Sequence, residues 1–121
     1  MRIRLQEIEY GSENPARSKD FYNSILGLET TIDQEKLKVF KTGVAGIDLN
    51  ASTHLPAGVM ATGFLTDDLQ AVIERLTARG IAFERPKEWH LGMTTIEFKD
   101  PDGYLIRVNQ PGAASPSWLT V

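Results

Sequence analysis

The sequence predicts an α+β fold in which two βαβββ modules form one curved, mixed sheet around a cavity, with the helices outside. Two observations indicate the duplication. A helical segment over residues 14–27 recurs over residues 68–80, with starts 54 residues apart and ends 53 residues apart. A strand-like run follows each helix, and Asp48 and Arg107 occupy matching places in these runs, 59 residues apart. A near-constant shift indicates a repeated unit, and two related halves can enclose a cavity between them.

Length and composition predict one domain and exclude several classes of function. A chain of 121 residues with 41% hydrophobic and 24% charged residues is typical of a globular domain. The net charge of −3 and the lack of a basic face argue against nucleic acid as a partner. The chain has no cysteine, which excludes disulfides and thiolate chemistry. It has no signal peptide and no apolar run long enough to cross a membrane, so we expect a cytoplasmic protein without a membrane partner.

The first module is predicted over about residues 2–50. In residues 2–10, apolar residues alternate with polar ones in the manner of a strand. Asn14 suits the N-cap of a helix, Pro15 suits its first position, and Gly27 suits its left-handed end. Two pairs spaced i, i+4 predict one apolar face for this helix, namely Phe21 with Ile25 and Tyr22 with Leu26. Three short strands are expected to complete the module.

The second module is predicted over about residues 58–110, after a connector of small residues at 51–57. Its helix is capped by Asp67 or Asp68, ends at Gly80, and carries the clearest apolar stripe in the chain, Leu69, Val72, Ile73 and Leu76. Strands are expected around residues 81–85, over 92–99 and over 104–109, with a tight turn at 100–103. The tail over residues 111–121 ends in Trp118-Leu119-Thr120-Val121, an apolar sequence that indicates packing.

Two motifs carry a family resemblance. The first is Phe21-Tyr22 followed by Leu26-Gly27-Leu28, and the second is Phe98-Lys99-Asp100-Pro101-Asp102-Gly103. Their order and separation resemble the vicinal oxygen chelate superfamily, which includes glyoxalase I, bleomycin-resistance proteins, fosfomycin-resistance transferases and extradiol dioxygenases. The resemblance covers residues 2–110 and implies the fold described above. It does not identify the reaction, since unrelated chemistries share this scaffold.

The resemblance also implies where a metal ion would be held. The ligand positions of the metal-dependent members correspond to Glu7, Asp48, Ala61 and Arg107 in this sequence. Alanine cannot bind a metal, and arginine stays protonated and has no lone pair to donate. We therefore expect no metal and no other cofactor, with Arg107 taking the place of the ion beside the carboxylates of Glu7 and Asp48.

These considerations predict a ligand-binding set rather than a catalytic one. The polar members are Glu7, Asp48 and Arg107, although an internal salt bridge without a ligand is the alternative explanation for them. Apolar and aromatic side chains suited to the wall of an organic-ligand pocket complete the set: Phe40, Met60, Trp89, His90, Met93 and Trp118.

The favoured function is metal-independent binding of a small organic molecule, as in bleomycin-resistance proteins, with sequestration of an antibiotic or metabolite as one form of it. One alternative is a metal-dependent lyase, isomerase or dioxygenase in which Glu7 and Asp48 bind a divalent ion with help from a residue such as His90. Another is an enzyme without a metal that uses Glu7 or Asp48 as a general base. The resemblance also implies a homodimer, to which the Trp118–Val121 tail is expected to contribute.

Overall fold

The computed structural model describes residues 1–121, and its elements follow the predicted order twice. The first set is β1 (Ile3–Gly11), α1 (Pro15–Leu26), β2 (Thr30–Gln34), β3 (Leu37–Lys41) and β4 (Asp48–Ser52). The second set is β5 (Met60–Thr66), α2 (Leu69–Ala78), β6 (Lys87–Glu88), β7 (Thr94–Lys99) and β8 (Leu105–Gln110), with a 3-10 turn at His90–Gly92. The predicted α+β fold with two βαβββ modules is confirmed.

The chain divides into two compact units. The N-terminal unit comprises residues 6–62, and the C-terminal unit comprises residues 1–5 together with residues 63–121. In the N-terminal unit the strands are ordered β2-β3-β4-β1. The β1–β4 pair is parallel, with Glu7 opposite Asp48, and the other two pairs are antiparallel.

Helix α1 begins and ends as the sequence predicts, but its contacts differ from the prediction. Asn14 caps it, Pro15 occupies the first turn, and Gly27 adopts a left-handed φ of 67°. The apolar face predicted for α1 is not buried against the sheet: Phe21, Ile25 and Leu26 are 53%, 67% and 57% exposed. The inner side of α1 is formed by other residues: Pro15 is buried, Ser18 Oγ lies 2.8 Å from Ser12 Oγ, and the Tyr22 ring packs 5.1 Å from that of Phe40.

The C-terminal unit contains the main hydrophobic core. Its strands are ordered β5-β8-β7-β6, and β6, β7 and β8 pair in antiparallel fashion. Asp68 caps α2, which buries the predicted apolar stripe against β7 and β8. The core consists of Leu69, Val72, Leu76, Ile96 and Val108, with Phe64, Ile73, Phe83, Phe98 and Ile106 packed around it. None of the helices is both long enough and apolar enough to span a membrane.

The strand predicted around residues 81–85 is wrong. Only Phe83 forms an isolated bridge, to Phe98, and Glu84 N donates to Glu97 O at 2.8 Å. Pro86 follows and has no N–H to extend the ladder, so the regular pairing starts later, at Lys87 and Glu88 of β6.

Candidate functional site

A buried ion pair lies at the position where the family resemblance places a metal ligand. Glu97 on β7 and Arg107 on β8 are register partners, and Arg107 Nε donates to Glu97 Oε1 at 3.1 Å. Arg107 is 4% exposed. Burial raises the pKa of Glu97, but hydrogen bonds and charges from Arg107 and Lys87 outweigh that effect and hold the pKa below its usual value. The pair is therefore ionised at neutral pH.

The indole of Trp89 connects this pair to a second cation. The Arg107 guanidinium lies 4.9 Å from the centre of the Trp89 ring, and Lys87 Nζ lies 5.2 Å from it. Lys87 Nζ also lies 3.3 Å from Glu97 Oε1. Both cations thus contact one carboxylate and one aromatic ring, an arrangement that orients the guanidinium through charge and cation–π attraction. The imidazole of His90 packs edge-on against Trp89, with ring centres 4.7 Å apart.

An apolar cluster adjoins Trp89 and contains the C-terminal tail. Met93, Leu65 and Leu119 are buried together, and Trp89 and Val121 pack against them. A hydrogen bond also holds the tail in place: Arg4 Nε donates to Thr120 O at 2.7 Å. Trp118, in contrast, is 64% exposed. The structure therefore brings Trp89, His90 and Met93 together near Arg107, while Trp118 lies at the surface.

In the N-terminal unit the predicted carboxylates share one face of the sheet. Glu7 and Asp48 are register partners on parallel strands. Asn50, two residues beyond Asp48, donates from Nδ2 to Glu7 Oε2 at 2.9 Å, so all three side chains project to that face. The Oδ1 atom of Asn50 is buried and makes no hydrogen bond.

The same face carries a second polar group that was not among the residues predicted above. Glu9 is buried, and its Oε2 accepts a hydrogen bond from Ser52 Oγ at 2.7 Å. His54 Nδ1 lies 3.7 Å from the same oxygen, and the backbone N–H of His54 donates to Ser52 Oγ at 3.2 Å. Ser52 donates its proton to the carboxylate rather than to the imidazole, so this is not a nucleophile–base arrangement. Alternation along β1 and β4, two residues beyond Glu7 and Asn50, could have predicted it.

Two of the predicted pocket residues, Phe40 and Met60, are not grouped with Glu7 and Asp48 in the structure. Phe40 has no exposed surface and is the register partner of Leu49, whereas Lys41 pairs with Asp48. Because successive side chains of a strand face opposite sides, Phe40 and Asp48 project from opposite faces of the sheet. The predicted grouping of Phe40 with the carboxylates is therefore wrong.

Met60 lines a different cavity, on the α1 side of the N-terminal unit. This cavity has a volume of about 400 Å³ and is lined in part by Tyr10, Tyr22 and Val59. Burial and the neighbouring Tyr10 raise the pKa of Tyr22. Met60 is thus grouped with two phenols rather than with Glu7 and Asp48.

A larger cleft in the C-terminal unit is lined in part by Glu97. Its volume is about 510 Å³, within the range of small-molecule sites. The lining is mainly apolar and includes Ile81, Phe83, Phe98 and Leu105.

The residues at the family's metal positions do not fit a metal ion. Of the four positions, only Glu7 and Asp48 offer oxygen ligands, Ala61 is a buried methyl group, and Arg107 is occupied as a donor to Glu97. Nowhere in residues 1–121 do three or more His, Asp or Glu side chains gather in a way that could hold a metal ion. A catalytic metal in a protein usually has three protein ligands.

The main residue that sequence reasoning missed is Glu97. The predicted turn at residues 100–103 would make Lys99 and Tyr104 partners and would place Glu97 opposite Ile106. In the structure Tyr104 belongs to the loop, so Lys99 pairs with Leu105 and Glu97 with Arg107. The predicted hairpin therefore brought Glu97 next to the last strand but did not predict its partner on that strand. The tail's place in the core had no comparable signal, because its contacts with Leu65 and Met93 are distant in sequence.

Comparison with known proteins identifies the fold and the family. The model of the Glyoxalase/Bleomycin resistance protein/Dioxygenase superfamily matches residues 4–108. No curated protein is detectably similar in sequence. A member of that superfamily from Vibrio splendidus 12B01 is 20% identical, with a TM-score of 0.66 over 90% of this chain and 99% of that one.

Two further solved structures share the fold. Methylmalonyl-CoA epimerase from Mycobacterium tuberculosis is 16% identical, with a TM-score of 0.64 over 89% of this chain and 87% of that one. The Mn(II)-bound glyoxalase from Novosphingobium aromaticivorans is 22% identical, with a TM-score of 0.64 over 93% of this chain and 41% of that one. The chain belongs to the Glyoxalase/Bleomycin resistance protein/Dioxygenase superfamily, the vicinal oxygen chelate family that its motifs resemble.

Proposed function

We propose that this protein binds a small organic molecule without a metal, in the manner of the bleomycin-resistance type, and sequesters an antibiotic or metabolite. One observation carries the proposal. A guanidinium, buried and fixed by Glu97 and Trp89, occupies the last-strand position at which the family's enzymes hold a metal ligand. A fixed cation at that position is suited to hydrogen bonding with ligand oxygens and unsuited to an adjacent metal ion.

The side chains near Arg107 favour a ligand that is partly aromatic. Trp89 and His90 offer flat aromatic contact surface, and Met93 packs behind Trp89 in the buried cluster. We include Glu7 and Asp48 in the proposed binding set because they lie at the corresponding family positions of the N-terminal unit. Their charge favours a cationic or hydrogen-donating group on the ligand.

A metal-dependent lyase, isomerase or dioxygenase is the second candidate. The observation that favours it is the parallel register of Glu7 and Asp48, which places two carboxylates on one face of adjacent strands. Metal analysis of the purified protein separates the two candidates. Stoichiometric zinc, nickel, iron or manganese that is lost in Glu7→Gln and Asp48→Asn would overturn the first candidate in favour of the second.

The binding proposal is tested directly by native mass spectrometry and tryptophan fluorescence. Protein purified from a cell extract should retain a small organic molecule, identified after denaturation. The chain has two tryptophans, so Trp118→Phe leaves Trp89 as the single reporter. Titration of the recovered compound should change Trp89 emission, and Arg107→Met should weaken binding about tenfold or more. Unchanged affinity in Arg107→Met would contradict the proposed role of the guanidinium.

We further propose that the protein acts as a cytoplasmic homodimer. In support of an apolar contact surface, the chain exposes several large hydrophobic side chains, including Trp118 in the tail. Light scattering at tens of micromolar tests the dimer, and a monomer would refute it. Deleting residues 115–121 tests the predicted contribution of the tail separately.

A further inference from the structure

Helix α1 packs against its sheet less completely than α2 does. Helix α2 buries three large side chains in the hydrophobic core of its unit, Leu69, Val72 and Leu76. Helix α1 buries only Pro15. A cavity of about 400 Å³ therefore remains on the α1 side of the N-terminal unit, and this volume is within the range of small-molecule sites.

The lining of this cavity carries no charged side chain. It is formed by tyrosine, serine, alanine, valine and methionine residues together with two glycines. Tyr10 and Ala51 are register partners on β1 and β4, and Tyr22 comes from α1. Burial and the nearby Tyr10 hold the pKa of the Tyr22 phenol above its usual value, so this phenol is uncharged at neutral pH. An ion inside the cavity would lose its water and find no opposite charge in the lining, which favours a neutral ligand.

Hydroxyl groups supply the hydrogen-bonding capacity of the lining. Two are the phenols of Tyr10 and Tyr22, and two are the hydroxyls of Ser12 and Ser18, whose Oγ atoms lie 2.8 Å apart. A hydroxyl oxygen has two acceptor lone pairs besides its O–H, so the serine pair keeps acceptor capacity after its mutual hydrogen bond. The lining is therefore suited to a ligand that itself carries a hydroxyl group.

The backbone around the cavity is held in place by the connector between the modules. Gly11 N donates to Val59 O and Ser12 N donates to Ser52 O, both at 2.8 Å. The connector also lies directly on Gly11, where a Cβ atom would be 1.8 Å from the carbonyl oxygen of Pro56. A cavity whose walls are fixed in this way loses little conformational entropy when a ligand binds.

We propose that the α1 cavity, defined by Tyr10, Ser12, Ser18, Tyr22 and Met60, binds one neutral aromatic molecule that carries a hydroxyl group. The two tyrosine rings and the Met60 thioether offer contact surface for an aromatic ring. The hydroxyl groups of the lining then hydrogen-bond to the hydroxyl group of the ligand.

The α1 cavity is distinct from the binding set proposed around Arg107. Tyr10 is three residues from Glu7 on β1, so the two side chains project from opposite faces of the sheet. The same spacing separates Ala51 from Asp48 on β4. Arg107 belongs to the C-terminal unit, whereas every lining residue of the α1 cavity belongs to the N-terminal unit. Binding in the α1 cavity therefore does not depend on the function proposed above.

Two-dimensional amide NMR with a matched pair of probes tests the site and its charge preference. Titration with 4-hydroxybenzyl alcohol should shift signals from residues 10–22 and 51–60, with a dissociation constant on the order of 1 mM. Signals from residues 87–107 should stay in place. The anion 4-hydroxybenzoate has the same ring and phenol and should bind about tenfold more weakly or less. No saturable shift at residues 10–22, shifts confined to residues 87–107, or equal binding of the two probes would overturn the proposal.

The three tyrosines of the chain provide matched variants for the hydrogen bonds. Tyr10→Phe and Tyr22→Phe each remove one hydroxyl from the cavity and should raise the dissociation constant of 4-hydroxybenzyl alcohol about three- to tenfold. Tyr104→Phe is the control, since Tyr104 is exposed and lies outside the cavity, and it should leave the constant unchanged. Urea unfolding verifies that all three variants fold. Unchanged affinity in both cavity variants, or an equal loss in Tyr104→Phe, would overturn the proposal.

Discussion

Glu97 and Arg107 face each other across the β7–β8 hairpin, with Arg107 Nε 3.1 Å from Glu97 Oε1. The guanidinium is almost completely withdrawn from solvent, and the carboxylate is largely so. An arginine cannot shed its charge when buried, so the stability of this hairpin depends on the partner that balances it.

Removing the charge of Glu97 should destabilise the fold strongly. Glu97→Gln leaves the Arg107 guanidinium buried without this carboxylate, and we expect a loss of about 3 kcal/mol in the free energy of unfolding. Glu84→Gln, at an exposed carboxylate that also lies near Lys87, should cost less than about 0.5 kcal/mol. Urea unfolding at pH 7 measures both. Equal losses of unfolding free energy in the two variants would show that the buried pair stabilises the fold no more than an exposed ion pair does.

Replacing both members of the pair should recover stability. Arg107→Ala alone should cost about 1–3 kcal/mol. The double variant Glu97→Gln with Arg107→Met removes both charges and keeps most of the side-chain volume, so it should be more stable than Glu97→Gln. The coupling free energy is measured from the cycle of Glu97→Gln, Arg107→Met and the double variant, and a value near zero would contradict the pairing.

The Glu97–Arg107 pair also predicts how the free energy of unfolding changes as the pH falls. The pKa of Glu97 is lower in the folded chain than its usual value of 4.5. The folded state therefore gains stability from this group above pH 4.5 and loses it as the pH falls through the lower, folded pKa. The difference in unfolding free energy between wild type and Glu97→Gln should shrink from pH 7 towards pH 3. A difference that stays constant over this range would exclude Glu97 as a source of the acid sensitivity.

The tail should contribute to stability through Leu119 and not through Trp118. Leu119 is buried against Leu65 and Met93, so Leu119→Ala should cost about 2–4 kcal/mol. Trp118→Ala removes an exposed side chain and should change stability by less than about 0.5 kcal/mol. Thermal unfolding of the two variants side by side tests this expectation, and the reverse order would show that the tail packs differently in solution.

Gly11 should tolerate no side chain. A Cβ atom at this position would lie 1.8 Å from the carbonyl oxygen of Pro56, a backbone atom that cannot move aside freely. Gly11→Ala should therefore destabilise by about 3 kcal/mol or more. Gly27→Ala is the control, since its site has open space and only a positive φ to strain it, and it should cost about 1 kcal/mol. Comparable midpoints for the two variants in urea would disprove the steric argument.

Local features were predictable because they depend on neighbours in sequence. Asn14 and Gly27 bound α1 as expected, because capping and left-handed ends are properties of a few consecutive residues. The duplicated order of strands and helices followed from the constant shift, and the stripe of α2 from its periodicity. The sequence by itself thus determined the family, the α+β class and the position of Arg107 on the last strand.

Only the tertiary structure decided which of these side chains are exposed to solvent and which are in contact with each other. Periodicity states that Phe21 and Ile25 share a face of α1, but only packing decided that this face points outwards. Strand register placed Glu97 against Arg107 and turned Phe40 away from Asp48, because a shift of one residue exchanges the two faces of a strand. The burial of Leu119 depends on a contact between distant segments, and no local pattern encodes such a contact.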